Sequence, residues 1–479
     1  MQEQRDSSRA WKILAVTSFA VFATALDTTI LYVAYPDVQK TFAEVSRADL
    51  SWAINAYTIV FAALLVPAGR LADRVGRRKV FFAGVVLFTV ASALAGAAPS
   101  APALVAARAV QAVGAAALLP SSLALVLGEF PREKRAMAVG IWGAVGALAA
   151  ATGPTLGALI IEAASWRLAF FVNLPIGAMT IFLGSRLIGE SKDADAAQRQ
   201  DVLGIPLLIA GVGALALGIV QGDEWGWSGV PTLAAFGASV VILPLFVLRS
   251  ATYHSPALDL TLFANRNFRW ANLATASFGV AFAAMFLGTV LFLTNVWQYS
   301  VLQAGLLIAP GPFIAALVAG PAGRAADKVG HRPMLVAGGL IFAAANVWRV
   351  LGTDLEREIL NLWLPSLVLT GVGVGLTLPT LSSAAVHGLP PNRFAVGSAV
   401  NQTVRQIGSV LGVALVIALL GSSNPSELLE AFDRIFYLLA AGGVATAIFS
   451  LAINTKPQTR PAPAQTQAAP TTNPSESTA

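Results

Sequence analysis

The sequence predicts an all-α integral membrane protein of fourteen transmembrane helices, built by internal duplication. Of its 479 residues, 56% are hydrophobic and 12% are charged, about half the charged fraction of a soluble globule. Fourteen apolar runs approach or exceed the roughly 20 residues needed to cross a bilayer core. A twelve-residue signature occurs twice, PAGRLADRVGRR at 67–78 and PAGRAADKVGHR at 321–332, with nine positions identical at an offset of 254. A repeat of that kind marks a duplicated membrane protein.

The expected spans are residues 11–35, 49–67, 80–98, 103–127, 137–161, 167–187, 201–220, 230–248, 270–294, 303–322, 334–352, 360–386, 394–420 and 431–453. With the N-terminus inside, the cytoplasmic segments hold 23 of the 31 basic residues, as the positive-inside rule requires of a correct count. Six (Lys40, Arg47, Arg167, Arg349, Arg357 and Arg434) fall in outer loops or at outer span ends, and only Arg108 and Arg405 lie within the membrane. The basic pI of 9.8 is thereby a topology signal and argues against a nucleic-acid partner. Eight spans, an even number, separate the signature copies, so both face one side. Nine of the ten tryptophans fall near span ends as interfacial anchors, Trp142 being the exception.

In the first span Arg5, Arg9 and Lys12 precede an apolar stretch that carries a nominal cleavage motif at Ala23-Thr24-Ala25, yet the apolar run continues to Tyr35, so it reads as a retained helix. Residues 1–10 read as a cytoplasmic N-terminus and 188–200 as a solvated cytoplasmic linker without chemistry. Residues 249–269 read as a cytoplasmic loop and 454–479 as a disordered cytoplasmic tail. Cysteine is absent, which excludes disulfides and thiolate metal sites.

Several motifs lie on these spans. The stretch from Gly69 to Lys79 fits Gly-x-Leu-Ala-Asp-Arg-x-Gly-Arg-Arg-Lys at every defined position. Gly69 and Gly76 are expected to turn the backbone tightly, and Asp73 to pair with an arginine or cap a helix. The second copy is weaker, since Lys328 and His331 replace arginines. The first span carries LDTTILYVAYP (26–36), whose Asp27 is the only acid placed deep in a span. A lone carboxylate there costs at least about 2.5 kcal/mol; desolvation favours the neutral acid and suits the group to exchanging a proton. Permanent hydrogen bonding to Thr28 or to a neighbouring helix is the alternative. On the fourth span, Arg108 and Gln111 share one face at a depth similar to Asp27, followed by Gly114. A static Arg108–Asp27 pair would keep the acid charged, so coupling requires a substrate or conformational change that alters the contact. The fifth span carries WGAVGALAAATGPTLGA (142–158), where small residues allow close helix approach and Pro154 bends the helix. WRLAFFVNLPIG (166–177) and NQTVRQIGSVLG (401–412) are further matches.

With these motifs the chain, from about Trp11 to Asn454, resembles a major facilitator superfamily transporter of the fourteen-span drug:proton antiporter type. The resemblance implies two six-helix halves, 11–187 and 270–453, with two inserted helices in 201–248. It implies a latch in Gly69, Arg70, Asp73, Arg74, Gly76, Arg77 and Arg78, and proton coupling through Asp27, Arg108 and Gln111. It also implies an antiporter motif at Gly153, Pro154 and Gly157, associated with export; Ala158 stands where a final glycine is expected. Asn55, Tyr57, Phe292, Asn295, Asn401, Gln402 and Arg405 are candidate cavity residues by helical position. Arg405 would meet either an anionic substrate group or a backbone carbonyl.

The implied function is efflux of small hydrophobic or amphipathic compounds across the inner membrane. It would be driven by the proton motive force with no cofactor, by a monomer with both termini in the cytoplasm. Export of one metabolite or antibiotic, uptake by symport, and a non-transporting receptor of the same fold are the alternatives. No Gly-x-x-x-x-Gly-Lys-Ser/Thr phosphate loop occurs. Gly371, Gly373 and Gly375 lie in an apolar helix and read as packing. His254, His331 and His387 read as isolated, without metal-ligand spacing, and Asn401-Gln402-Thr403 is too deep in a span to be glycosylated. No nucleophile–base pair points to an enzyme.

Overall fold

Among the described residues, thirteen helices are long and apolar enough to cross a membrane, and a shorter fourteenth stands in the seventh place. In chain order they are α1 (Ser8–Thr41), α2 (Arg47–Val75), α3 (Arg77–Gly96), α4 (Ala101–Glu129), α5 (Met137–Ala163), α6 (Trp166–Leu187), α7 (Gly204–Val220), α8 (Val230–Thr252), α9 (Arg266–Asn295), α10 (Val301–Val329), α11 (His331–Gly352), α12 (Ile359–Val386), α13 (Phe394–Leu420) and α14 (Leu428–Ser450). The computed structural model describes residues 2–192, 201–390, 393–421 and 427–455, side chains excepted at 2–7, 132, 133, 136 and 147. The linker expected at 193–200 and the tail expected at 456–479 lie outside the described residues.

Most helices run past the apolar stretches that announced them. The signature is mainly helical, because α2 continues to Val75 and the chain turns only at Gly76, whose φ is +130°. Gly330 repeats the turn in the second copy at φ +91°. Gly69, expected to form a turn, instead sits in helical backbone, where an added Cβ would lie 3.4 Å from Pro120 Cβ; its smallness admits α4 rather than bending the chain. Residues 188–192 are also not an idle linker. The Glu190 carboxylate accepts from the Arg78 amide at 3.2 Å, and the Ser191 carbonyl accepts from the Arg77 amide at 3.0 Å, so this segment caps the otherwise unmet amides opening α3.

A side chain at position 76 would face both a strained φ and the Glu190 carboxylate, 2.5 Å from an added Cβ. Gly76→Ala is therefore expected to destabilise the protein by about 1–3 kcal/mol and lower its thermal midpoint in detergent. An unchanged midpoint would show that the turn tolerates a side chain.

The packing repeats itself eight helices apart. In the first half α1 packs on α5, α2 and α3 on α4, and α6 on α1 and α3; in the second, α9 packs on α13, α10 and α11 on α12, and α14 on α9 and α11. Even the close crossings recur. A Cβ on Gly84 or Gly114 would lie 2.9 Å from the other's carbonyl on the α3–α4 crossing, and Gly338 and Gly373 oppose each other the same way between α11 and α12. Gly371 and Gly375 approach the backbone of α10. The glycine run of α12 thus serves packing.

Two seams join the halves, α2 on α13 and α5 on α10, and a two-fold relating the halves exchanges them. The inserted α7 packs on α8 and also touches α2 and α13, so it covers the first seam. At 17 residues it spans about 25 Å. Its start is fixed by the buried Asp201, which accepts from the Gly204 amide at 2.9 Å and from Arg249 Nε at 2.6 Å. Asp201 is a second fully buried acid, placed at a helix end and not deep in a span.

Candidate functional site

The polar centre of the first half is assembled on α1. Thr24, Thr28 and Thr29 return their hydroxyls to the carbonyls of Ala20, Thr24 and Ala25, the usual way for a threonine to satisfy itself inside a helix. Asp27 has no such local partner and must look to other helices. It is 3% exposed. One carboxylate oxygen accepts from Arg108 Nη1 at 2.5 Å; the other accepts from Gln111 Nε2 at 2.8 Å and Asn173 Nδ2 at 3.0 Å. Arg108 Nη1 also donates to Gln111 Oε1 at 2.7 Å, and its Nε to the Ala53 carbonyl at 3.2 Å. The Tyr57 ring lies 4.1 Å from the guanidinium carbon, a cation–π contact inside a desolvated site.

Three helices, α1, α4 and α6, therefore meet at one carboxylate, and α2 reaches it through Arg108. Asp27, Arg108 and Gln111 come together as expected, and Tyr57, expected to line a cavity, lies beneath the arginine. Asn173, within the motif at 166–177, joins them without a helical-spacing signal of its own. Its place follows from Pro175, which lacks the amide hydrogen that would bond the Phe171 carbonyl, so α6 opens a turn at Val172. Asn173 then donates also to Ser92 Oγ at 3.0 Å, and Ser92 to the Phe170 carbonyl at 2.8 Å. The signal was available, since Asn173 is the one amide side chain between Trp166 and Ile188. Asn173→Leu is expected to remove a donor worth about 1–3 kcal/mol and to lower transport several-fold at an unchanged membrane level; parental transport would remove Asn173 from the site.

Around the signature, Arg70 Nη1 donates to the Pro256 carbonyl at 2.5 Å and Ser255 Oγ at 3.3 Å, tying α2 to the segment that enters the second half. Asp73 pairs with Arg77 at 2.8 Å, and Arg78 Nη2 donates to the Ser185 carbonyl at 3.1 Å. Arg74 is exposed. On α5, Gly153 faces Thr29 and Gly157 faces Ile30, so α1 is held close. Ala158 and Pro154 meet Gly305 of α10, where an added Cβ would overlap Ala158 and lie 2.9 Å from the Pro154 carbonyl. The glycine missing from α5 is thus present on the opposing helix.

The remaining candidates scatter. Asn55 is fully buried on α2 with neither amide atom hydrogen-bonded among the described residues. Asn401 donates to Asn272 Oδ1 at 3.1 Å and Thr275 Oγ1 at 2.9 Å on α9, which commits it to packing within the second half. Gln402 and Arg405 are half-buried, and Thr403 between them donates to the Ala62 carbonyl of α2 at 3.1 Å across the seam. Phe292 is sealed among Trp297, Trp363, Phe432 and Phe436, and Asn295 is half-buried where α9 ends.

Arg349, expected at an outer interface, is fully buried, and Trp166, Trp297 and Trp363 are packed inward rather than anchoring at the surface. In each case neighbouring aromatic rings offer more contact than the interface does. His331 and His387 are not isolated, their rings being 5.4 Å apart, with His331 bonded to Thr455 Oγ1 and Ser383 Oγ. No group of three or more potential metal ligands occurs among the described residues.

Residues 17–413 match the family model described as Major Facilitator Superfamily, which matches again over 273–474. The chain belongs to the major facilitator superfamily. The multidrug resistance protein Stp of Mycobacterium tuberculosis is 35% identical over 410 residues, covering 85% of this chain and 75% of that protein. The cephamycin export protein CmcT of Amycolatopsis lactamdurans is 33% identical over 457 residues, covering 93% and 92%. The tetracenomycin C resistance and export protein of Streptomyces glaucescens is 30% identical over 416 residues, covering 86% and 76%. As a major facilitator protein the chain is a multi-pass membrane protein of a transporter family, and its helix pairing is that of a duplicated transporter.

Proposed function

We propose that this major facilitator protein exports small hydrophobic or amphipathic compounds in exchange for protons. The observation that carries the reading is the buried Asp27 carboxylate, held by Arg108, Gln111 and Asn173 on the helix that also reaches the second half. Tyr32, five residues on, stacks on Phe286 of α9 with ring centroids 5.8 Å apart. Three side-chain donors reach the acid in this conformation. When a proton arrives, Arg108 loses the charge it faces and the tie between α1 and α4 loosens. The halves then rock about two seams, the Thr403–Ala62 hydrogen bond on one side and the Ala158–Gly305 contact on the other. Substrate would occupy the space between the halves, with Asn55, Gln402 and Arg405 as contacts.

A proton descending about 100 mV releases roughly 2.3 kcal/mol, enough for about a fifty-fold gradient of a neutral compound at one-to-one exchange. No cofactor enters this scheme. The distribution of basic residues supports placing both termini in the cytoplasm, which puts the signature face inside. We assign the protein to the inner membrane as a monomer.

The test uses inverted membrane vesicles with an acid lumen. Adding a transported compound should dissipate the pH gradient, reported by a permeant weak-base dye; export that leaves the gradient untouched would refute proton coupling. Dedication to one antibiotic is the second reading, suggested by the similarity to the cephamycin export protein along 93% of this chain. A resistance panel in a pump-deficient host separates the two, since a broad exporter protects against unrelated compounds and a dedicated one against a single class.

A further inference from the structure

Among the described residues, Arg108 and Arg349 are the two arginines buried most completely, at 1% and 0% exposed. Arg108 faces a carboxylate and Arg349 does not. Arg349 lies near the end of α11, on the face opposite the signature. Its Nε donates to Ser366 Oγ at 3.0 Å, and that hydroxyl donates to the Trp363 carbonyl at 2.9 Å. The Trp363 and Phe436 rings lie 4.8 and 5.8 Å from its guanidinium carbon, within the cluster that also holds Phe292, Trp297 and Phe432. Nη1 and Nη2 have no hydrogen-bond partner among the described residues.

No salt bridge joins Arg349 to Asp433 or Glu430 on α14, nor to Asp354, Glu356 or Glu358 between α11 and α12, among the described residues. The sequence between α13 and α14 at 422–426, Ser-Ser-Asn-Pro-Ser, contains no acid. The site is not a duplicate of one in the first half, since Ala95 stands 254 residues earlier.

A guanidinium is always charged, and burying it without a counter-charge is unfavourable. Aromatic rings meet it through its faces. They leave its in-plane Nη1–Nη2 edge, the edge that grips anions with two parallel N–H donors. Complete burial restricts the ligand to a small ion that can shed its water, and one positive charge matches one negative charge. We infer that Arg349 binds a chloride-sized monovalent anion, which ties α11 to α12 and α14 on the face opposite the signature. This site is separate from the Asp27 centre and does not depend on proton coupling.

The test is the thermal midpoint of the purified full-length protein in detergent, measured in sodium chloride against sodium gluconate at equal ionic strength. The wild type should gain a saturable rise of a few degrees with chloride, and with bromide in its place. Arg349→Met should lose that dependence, whereas Asp27→Asn should keep it. A wild-type midpoint indifferent to chloride, or a chloride effect that survives in Arg349→Met, would overturn the site. If Arg349→Met does not fold, crystals of the wild type grown in bromide decide the matter. An anomalous peak at the Nη edge of Arg349 supports the inference and its absence refutes it. A midpoint that depends on Asp433→Asn but not on chloride would also refute it, by showing that the counter-charge is a side chain.

Discussion

Asp27→Asn is expected to abolish proton-coupled transport, reducing resistance in a pump-deficient host to that of the empty vector. Asparagine keeps the shape of the side chain and can still accept from Gln111 or Asn173, so the local packing survives. What disappears is the charge that Arg108 faces at 2.5 Å and the group that takes the proton. Removing one member of a buried pair costs about 3–5 kcal/mol, because the other is left uncompensated. The single variant is thus expected to fall in stability as well as in transport. The double variant Asp27→Asn with Arg108→Met separates these effects, since an uncharged pair should recover much of the stability and none of the coupling. In inverted vesicles neither variant should dissipate a pH gradient on adding substrate. Substrate-dependent dissipation in Asp27→Asn would sink the role given to this residue.

Gly305→Ala is expected to be the most damaging single methyl addition at a seam between the halves. Its Cβ would overlap Ala158 and press within 2.9 Å of the Pro154 carbonyl, in a place where α5 and α10 meet backbone to backbone. Overpacking of this kind costs about 1–3 kcal/mol, and the cost falls only on conformations in which the seam is closed. A bias of that size shifts the balance between alternating states by roughly five- to more than a hundred-fold, enough to stall a cycle that must visit both. The sign of the effect can be isolated with Ala158→Gly. Alone, that substitution should leave transport near the parental level; combined with Gly305→Ala, it removes the methyl that the new Cβ meets and should restore much of the loss. Measured rates of substrate efflux decide it. No rescue by Ala158→Gly would show that the damage lies elsewhere than in this contact.

Much of the chemistry was legible because it is written at helical spacing. Arg108 and Gln111 stand three residues apart, so one face of α4 presents both, and a single acid within an apolar run announces Asp27. The meeting of these three was predictable from their common depth. Asn173 escaped because its position depends on a turn opened by Pro175 in another helix, 146 residues from Asp27. Gly69 departs from its expected turn for a related reason. A glycine before a basic cluster reads as a turn, but only the approach of Pro120 reveals that it is needed for contact.

The sequence by itself determined the number of spans, the duplication and the identity of the charged centre. Apolar runs, basic loops and helical periods are local properties, and a bilayer reads them locally. The tertiary structure alone decided which helices share a seam and that Gly305 supplies the room Ala158 does not leave. It also decided that Arg349 is sealed among aromatic rings rather than resting at an interface. These depend on side chains brought together from distant helices, and lipid offers apolar surfaces no preference between one partner and another. Shape and hydrogen bonding make that choice, and neither has a period along the chain.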